Sequence, residues 1–461
     1  MLDLCHRGGF ERLLVRTPFA TLGHYEWNPT FAPDGDQSVR RMVRAAEEAG
    51  VTLGVLVQEE VISLNDSYFA PKYFGQYKRS QPLRLFDAIA AEDVDIALRR
   101  DASFEGLAVM NLIQIDEEML SIGTLEYAGD VVLLHHCKRG IHGTKKAAHS
   151  IDAMAYRIWD VPDRFVIPDG ELLQAVRQNL ADRLAAVNIT FVLQKGDAGQ
   201  ETLDEAIHVR NVERWEEQGV ANNTLGWFVV HAADKKRLAS SMEELEWMLS
   251  KSVAFDASYG MVIEPKAMDD HGALSEMLES MRQWNMLCRQ GAFSASQRQT
   301  MKDPYLHWHL ERQTDSLFLL YPWNFSRRYN CVLQEVDTGL LQSEAWTWNV
   351  EEEGRYGLRI QVDGEVDVVN PMVNTSKGLV MFPCTLKPGQ RLFYHFGETA
   401  LVVDANLNIV EEVEIEGLPE LALGQNEVSL LCEVDPALQV KPMVTLRYII
   451  REQPFVIHPY K

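Results

Sequence analysis

The sequence predicts a mixed α/β protein, in which a (β/α) TIM-barrel-like domain carries a β-rich insertion and is followed by an all-β sandwich domain. Three observations predict this fold: amphipathic helices that lead directly into apolar strands, a middle segment of short alternating strands, and the loss of every helical period after Glu311. We place the barrel-like domain at residues 1–82 and 160–312, the insertion at 83–159 and the sandwich at 313–461.

The first helix and strand unit is the clearest. Apolar residues recur with the spacing of one helix face from Gln37 to Ala49, and Gly50 stands where a helix commonly ends. The strand Val51 to Val57 follows after almost no loop. A short joint that leads into an apolar run is typical of a parallel sheet covered on both faces.

The same pattern recurs along the barrel-like domain. Asp169 is placed to cap a second helix, and Ser241 with Glu244 forms the pattern of a capping box for a third. The further predicted elements are the strands Leu13–Arg16, Ile189–Leu193, Leu225–Val230 and Tyr259–Ile263 and the helix Leu274–Cys288. Five strands are fewer than the eight of a complete barrel, so the barrel is either incomplete or divergent.

The two β-rich regions, the insertion and the last third of the chain, differ in their sequence patterns. In the insertion, NLIQID and VVLLHH predict short strands, and RGIHGT predicts a glycine-containing turn. In the last third, runs such as SLFLLY, YGLRIQV and TLRYII are separated by turns, which predicts two stacked antiparallel sheets. An insertion that leaves a barrel at the carboxyl ends of its strands commonly shapes the substrate cleft.

Composition excludes several classes of partner. The formal net charge of −23 repels phosphate backbones and anionic lipids, so we expect neither a nucleic acid nor a membrane surface as partner. No apolar stretch approaches the roughly 20 residues of a membrane span, and the first residues show no export signal. The six cysteines include no CxxC pair, and we predict no metal and no cofactor. The sequence does not predict the oligomeric state.

Several longer stretches resemble one group of proteins. They are GHYEWNPTFAPDGD at 23–36, AGVTLGV with LNDSYFAP behind it, CKRGIHGTKKAAH at 137–149, LGWFVVHA at 225–232, LEWMLSKSVAFDA at 245–257, QWNMLCRQGAF from 283 and KDPYLHWHLE up to 311. Over most of residues 10–311 the chain resembles uncharacterised bacterial glycoside-hydrolase-like (β/α)-barrel proteins with a small β insertion and a C-terminal β-sandwich. The resemblance implies an oligosaccharide or polysaccharide partner and a periplasmic or secreted location.

The chain departs from that group in one place that concerns chemistry. Where the group typically shows an Asp-Gly-x-Glu-like strand end, this sequence has QKGDAGQETLDEA, and Asp197 is the acidic residue nearest to the expected position. The stretch from there to Leu225 is also short. The chain is therefore either a divergent member or an incomplete barrel.

Glycoside hydrolysis needs two carboxyl groups, one as proton donor and one as nucleophile or base, about 5–5.5 Å apart for retention and about 6.5–9.5 Å for inversion. Carboxylates at the carboxyl ends of predicted strands are the candidates, namely Glu59, Glu60, Asp197 and Glu264. Neighbouring strand residues point to opposite faces, so at most one of Glu59 and Glu60 faces the barrel axis while the strand continues. Solvated loop carboxylates are the alternative interpretation.

A second set of residues predicts substrate binding, namely His24, Glu26, Asp66, Tyr68 and Trp227. His24 and Glu26 are two apart, so in extended chain they share a face; a structural histidine is the alternative. Asp66 follows Asn65, and such pairs often form local turn bonds instead. Tyr68 and Trp227 offer rings on which a sugar stacks, whereas tryptophans at helical spacing, such as Trp247, are typical of a core.

Two functions follow from these patterns. The first is a glycoside hydrolase in which Glu59 or Glu60 acts as acid or base with Asp197 or Glu264 as partner. The second is a non-catalytic glycan-binding or structural protein on a degenerate barrel, which the missing acidic motif near Asp197 favours.

Overall fold

The computed structural model describes residues 1–100, 106–108, 111–161, 165–194, 208–220, 223–235, 237–434 and 440–459. Its contacts divide the chain into two compact units. The first comprises Met1–Cys5 and Phe10–Gly199, and the second comprises His6–Gly9 and Gln200–Lys461. The domain limits predicted above stay predictions.

The chain is a mixed α/β protein, as predicted. The described helices are α1 Leu2–Gly8, α2 Asp36–Glu48, α3 Gly170–Val187, α4 His208–Gln218, α5 Met242–Phe255, α6 Pro265–Asp270, α7 Leu274–Arg289 and α8 Ala295–Thr300, with a 3-10 helix at Pro71–Gln76. The described strands up to residue 194 are β1 Arg12–Val15, β2 Thr52–Gln58, β3 Ile62–Ser63, β4 Leu83–Arg84, β5 Ile96–Arg99, β6 Leu112–Ile115, β7 Glu118–Ser121, β8 Thr124–Ala128, β9 Val131–His135, β10 Met154–Arg157, β11 Asp160–Val161, β12 Phe165–Val166 and β13 Thr190–Gln194.

The remaining described strands belong to the second unit. They are β14 Thr224–Val230, β15 Ser258–Ile263, β16 His307–Thr314, β17 Leu317–Phe325, β18 Tyr329–Cys331, β19 Leu333–Asp337, β20 Leu340–Ser343, β21 Trp346–Val350, β22 Gly354–Val362, β23 Val368–Thr375, β24 Gly378–Met381, β25 Thr385–Leu386, β26 Arg391–Tyr394, β27 Thr399–Val403, β28 Ile409–Glu414, β29 Glu420–Leu421, β30 Gly424–Glu433, β31 Val444–Arg451 and β32 Phe455–Ile457.

A three-stranded parallel sheet forms the base of the first unit, in the order β1-β2-β13. The central strand β2 is buried along most of its length, as its apolar sequence predicts. Gly54 pairs with Leu14 of β1 and with Thr190 of β13, and a Cβ there would stand 2.8 Å from Leu14 Cδ2 and 2.8 Å from Thr190 Oγ1. A side chain at position 54 would therefore push β2 away from its neighbours.

Helix ends follow the predicted capping chemistry. The Asp169 side chain accepts a hydrogen bond from Gly170 N (2.8 Å) where α3 begins. At α5, Ser241 and Glu244 form both bonds of the capping box. Each cap satisfies amide groups that the first helical turn leaves without a backbone partner.

The five predicted barrel strands are confirmed as strands, but within the described residues they pair as two parallel sheets. One sheet is β1-β2-β13, and the other is the pair β14-β15 in the second unit. The described strands do not form one closed ring of hydrogen bonds, so the observed arrangement is parallel strands alternating with helices.

The described strands from His307 onward fall into two large antiparallel sheets, as the β-rich last third predicts. The larger has the order β16-β17-β31-β22-β26-β27-β28 with β18, β29 and β32 at its margins, and the smaller has the order β19-β20-β30-β23-β24 with β21 and β25. An apolar core joins their strands and includes Tyr356, Leu392, Leu430, Cys432 and Tyr448. All six cysteines are free thiols, and five of them are buried.

Between β3 and α3, short antiparallel sheets confirm the β-rich character predicted for this segment, in the orders β4-β10-β6-β7 and β5-β9-β8. A buried ion pair holds this region together: Arg139 Nε lies 2.7 Å from Glu118 Oε1, and both side chains are almost completely buried. His149 Nε2 lies 2.9 Å from Glu118 Oε2. The Arg139 and His149 contacts outweigh the effect of burial and lower the pKa of Glu118 to about 2.

No helix among the described residues is long and apolar enough to cross a membrane.

Replacement of Arg139 by methionine should leave the buried Glu118 carboxylate without its guanidinium partner, although His149 still contacts it. We expect the free energy of opening of β6 and β7, measured by native-state hydrogen exchange, to fall by about 3–5 kcal/mol. Lys146→Met removes an exposed ion pair with Glu92 and should change this free energy of opening by less than about 1 kcal/mol. Equal protection in both variants would contradict a stabilising role for the buried pair.

The same pair should make this region acid-sensitive. Because the pKa of Glu118 is lowered from 4.5 to about 2, its ionised form stabilises the fold fully above pH 4.5. That contribution is lost as the pH falls from 4.5 towards 2. The hydrogen-exchange protection of β6 and β7 should therefore decrease over this range. In Glu118→Gln the protection should be lower at neutral pH and should no longer fall across this window.

Candidate active site

The candidate site lies where β1 and β2 end, at one edge of the parallel sheet. Carboxyl ends of parallel strands meet at the same edge, which is where α/β sheets usually bind ligands. The loop after β1 and the loop after β2 contribute the residues that we call the carboxylate cluster: His24, Tyr25, Glu59, Glu60, Asp66 and Tyr68.

Asp66 joins the two loops. Its carboxylate accepts hydrogen bonds from His24 N (2.9 Å) and from the Tyr68 amide (2.8 Å), and its Oδ1 lies 2.7 Å from His24 Nδ1. The side chain is only 1% exposed. The bond to Tyr68 is the local turn bond expected after Asn65, and the bonds to His24 connect positions 42 residues apart. Asp66 therefore fixes the turn and the histidine at once.

The close approach of the two loops depends on Gly23. Its φ of +124° is a conformation that L side chains rarely adopt, and a Cβ would stand 2.9 Å from the Asp66 carboxylate. The backbone of the first loop can thus contact the buried carboxylate because this position has no side chain.

His24 presents one ring nitrogen towards Asp66 and keeps the other available. Because the carboxylate accepts, Nδ1 carries the proton, and Nε2 makes no hydrogen bond with another described residue. The ring stacks on Tyr68 with centroids 3.9 Å apart, and the side chain is 36% exposed. Asn179 Nδ2 donates to Tyr68 Oη (3.1 Å) and to Gly23 O (3.0 Å), so α3 supports this stack.

The three acids around Tyr25 form the second half of the site. Tyr25 is fully buried and donates to Gln58 O (3.2 Å). Burial raises its pKa above the usual value of 10, and the charges of Glu59, Asp66 and Glu60 raise it further. The Tyr25 hydroxyl therefore lies within the electrostatic reach of all three carboxylates.

Glu59 and Glu60 differ in their partners. Glu60 forms an ion pair with Arg177 of α3, which raises the pKa of the guanidinium, and the charge of Glu59 adds to that effect. Glu59 is half-buried and makes no hydrogen bond or ion pair with another described residue. β2 ends at Gln58 and Glu60 has a φ of +64°, so the alternation of a strand no longer separates the two side chains.

The other predicted site residues lie elsewhere. Glu26 is exposed, and the positive φ of Tyr25 (+53°) breaks the extended chain on which a shared face with His24 depended. Trp227 is half-buried in the middle of β14, where its ring covers Gly260 of β15. Asp197 lies outside the described residues.

Glu264 follows β15 in the second unit and is held by an arginine. Both of its oxygens accept from Arg237 Nη2 (2.8 Å each), and Arg237 also contacts Asp234. Burial and the charge of Arg237 lower the pKa of the neighbouring His231. The strand end at Glu264 is thus a network of charges, not an isolated carboxylate.

Sequence patterns missed the residues that support the cluster. The fold places Tyr25, Arg177 and Asn179 at the cluster. Arg177 and Asn179 lie on α3, which begins more than a hundred residues after β2 and shows an ordinary polar face in sequence. The phrase GHYEW contained a usable signal, since a glycine before an aromatic residue and next to a histidine indicates a tight, irregular loop.

No family model matches the sequence, and no curated protein matches it. Three solved structures show distant similarity. The GH36 α-galactosidase AgaA of Geobacillus stearothermophilus, in complex with raffinose, is 10% identical with a TM-score of 0.31, over 94% of this chain and 52% of the other. This chain thus spans about half the length of that enzyme.

The second structure is the isomalto-dextranase of Arthrobacter globiformis T6 complexed with panose, at 9% identity and a TM-score of 0.28, over 99% of this chain and 92% of the other. The third is the gamma-CGTase of alkalophilic Bacillus clarkii, at 8% identity and a TM-score of 0.24, over 91% and 76%.

Gly23→Ala should disrupt the loop that carries His24. We expect an additional loss of about 1–3 kcal/mol compared with Gly35→Ala, which also has a positive φ but has open space around its Cβ position. Chemical denaturation of the two variants, followed by intrinsic tryptophan fluorescence, measures the difference. Identical losses would show that the contact with Asp66 does not constrain position 23.

Proposed function

We propose that the chain is a carbohydrate-active protein and that the carboxylate cluster is the active site of a glycoside hydrolase. The observation that carries the proposal is that Glu59, Glu60 and Asp66 follow the carboxyl end of β2 in a parallel sheet, where Asp66 contacts His24 of the neighbouring loop. Acidic side chains at that edge are the groups that glycosidic bond cleavage requires.

Within the cluster we assign proton donation to Glu59. A general acid must take up and release a proton during turnover, so it should not be held ionised by a cation. Glu60 has Arg177 as partner, whereas Glu59 has no ion-pair partner among the described residues. Glu60 is bound by Arg177, and Asp197, which the sequence places in the same unit, is proposed as the second catalytic carboxylate of a (β/α)-barrel-like domain.

The substrate is proposed to be an oligosaccharide or polysaccharide that lies against His24 and Tyr68. His24 offers Nε2 as an acceptor for a sugar hydroxyl, because its Nδ1 is used by Asp66. The partly exposed His24 and Tyr68 rings support contact with the apolar face of a sugar. Glu26 and Trp227 stay candidates for contacts further along such a chain.

Replacement of the proposed donor should abolish hydrolysis without unfolding the protein. On whichever glycan of a library the parent cleaves, Glu59→Gln should lower kcat/KM by about 10²–10⁴-fold, because the leaving oxygen no longer receives a proton. Reducing-sugar release measures the rate, and a thermal unfolding curve checks the fold.

Glu48→Gln, on the exposed face of α2, is the matched control and should keep the parental rate. Full turnover by Glu59→Gln would remove Glu59 from the mechanism.

A second function, glycan binding without cleavage, is favoured by a specific observation. Arginines hold both Glu60 and Glu264 in ion pairs, so these two carboxylates are already engaged within the protein. This alternative predicts retention on a glycan array with no reducing sugar released. Hydrolysis by the parent that Glu59→Gln loses would exclude it.

A further inference from the structure

A cavity of about 710 Å³ lies in the second unit, and none of its lining residues belongs to the carboxylate cluster. One wall is formed by the segment from Leu238 to Glu244, which leads into α5, and the other by the outer face of the larger sandwich sheet. The strands β16, β18, β22, β26 and β31 all contribute lining residues. Its volume lies within the range of about 300–1,000 Å³ that small-molecule sites usually have.

The lining is cationic although the whole chain is strongly acidic. Among the described lining residues there are five cationic side chains, Arg328, Arg359, Arg391, Lys441 and Arg447. Three lining residues carry carboxylates, Glu243, Glu244 and Asp363. In a chain with a formal net charge of −23, a pocket with this local excess attracts anions more strongly than its surroundings do.

The three carboxylates already have partners inside the protein. Glu243 pairs with Arg359, and Glu244 accepts from Ser241 N (2.7 Å) in the capping box. Asp363 accepts from Thr445 Oγ1 (2.5 Å) and from Gln361 Nε2 (2.6 Å). Hydrogen-bonding capacity towards a ligand therefore comes mainly from the cations.

Some N–H groups of these cationic side chains make no hydrogen bond with another described residue. Arg391 is only 6% exposed, its Nη2 donates to Ala405 O (3.0 Å), and its Nε has no hydrogen-bond partner among the described atoms. Arg328 and Lys441 are exposed and make no hydrogen bond or ion pair with another described residue. A buried N–H without a partner costs free energy, so an acceptor oxygen from a ligand would stabilise this arrangement.

An aromatic ring stands among the guanidinium groups. Arg359 and Arg391 lie 4.8 Å and 5.5 Å from the centre of the Phe393 ring, which is half-buried and lines the cavity. A ring beside planar cations offers an apolar surface next to carboxylate-binding groups. Acidic sugars combine the same two features, since a pyranose ring carries a carboxylate as substituent.

We infer that this cavity binds a uronate-containing oligosaccharide, with Arg391, Arg328 and Lys441 contacting its carboxylates. The saccharide part of the inference rests on the proposed function, whereas the preference for a carboxylate rests on the cavity alone. The site is separate from the carboxylate cluster, so it would hold an acidic chain independently of cleavage.

The test is isothermal titration of the full chain with tetragalacturonate and, as the neutral counterpart, galactotetraose. We expect binding of the acidic tetramer only, and affinity that falls as NaCl is raised. Arg391→Gln and the exposed Arg328→Gln should each weaken it by about tenfold. Arg355→Gln, an exposed arginine of β22 outside the cavity, should bind like the parent.

Four results would overturn the inference. They are equal binding of both tetramers, unchanged affinity in Arg328→Gln together with Arg391→Gln, equally tight binding of sodium sulfate, and loss of binding in Glu59→Gln. The last of these would place the ligand at the carboxylate cluster. Retained binding in Glu59→Gln without any hydrolysis by the parent would refute the proposed function and support the cavity site.

Discussion

The pairing of β2 on both sides is the constraint from which the first unit follows. β2 is hydrogen-bonded along both edges and its residues Leu53 to Val57 are buried, so they are apolar or glycine, and Gly54 leaves room for Leu14 of β1 and Thr190 of β13. Charged residues can appear only after the pairing stops at Gln58. The carboxylates Glu59 and Glu60 therefore stand at the sheet edge because the strand interior excludes them.

Sequence was sufficient for those elements whose signals are local, although α4 and α8 were not predicted. The helix face before Gly50, the cap at Asp169 and the capping box at Ser241 each depend on residues within a few positions, and the structure contains all three. Local sequence signals did not determine whether the strands close into one barrel. It depends on which strands pair across long stretches of chain, and the described strands pair in two separate sheets.

The site was predictable in composition but not in its contacts. Acids at the end of β2 and an aromatic–histidine pair were visible, whereas the bond between Asp66 and His24 joins loops that only folding brings together. The left-handed conformation of Glu60 was hidden as well, because a glutamate carries no signal for a positive φ. The arginine partners of Glu60 and Glu264 come from residues that look like ordinary surface charges in sequence.

The net charge of the whole chain and the local charge of the cavity lead to different expectations about anionic partners. The formal charge of −23 argues against anionic partners for the surface as a whole, yet arginines gather on one sheet face around Phe393. At the carboxylate cluster the balance is the opposite, with three acids near a buried tyrosine and one arginine on Glu60. The ion pair with Arg177 distinguishes Glu60 from Glu59, which has no ion-pair partner among the described residues. In the described part of the cluster that distinction selects Glu59, and it makes the chemistry of the site depend on one half-buried side chain.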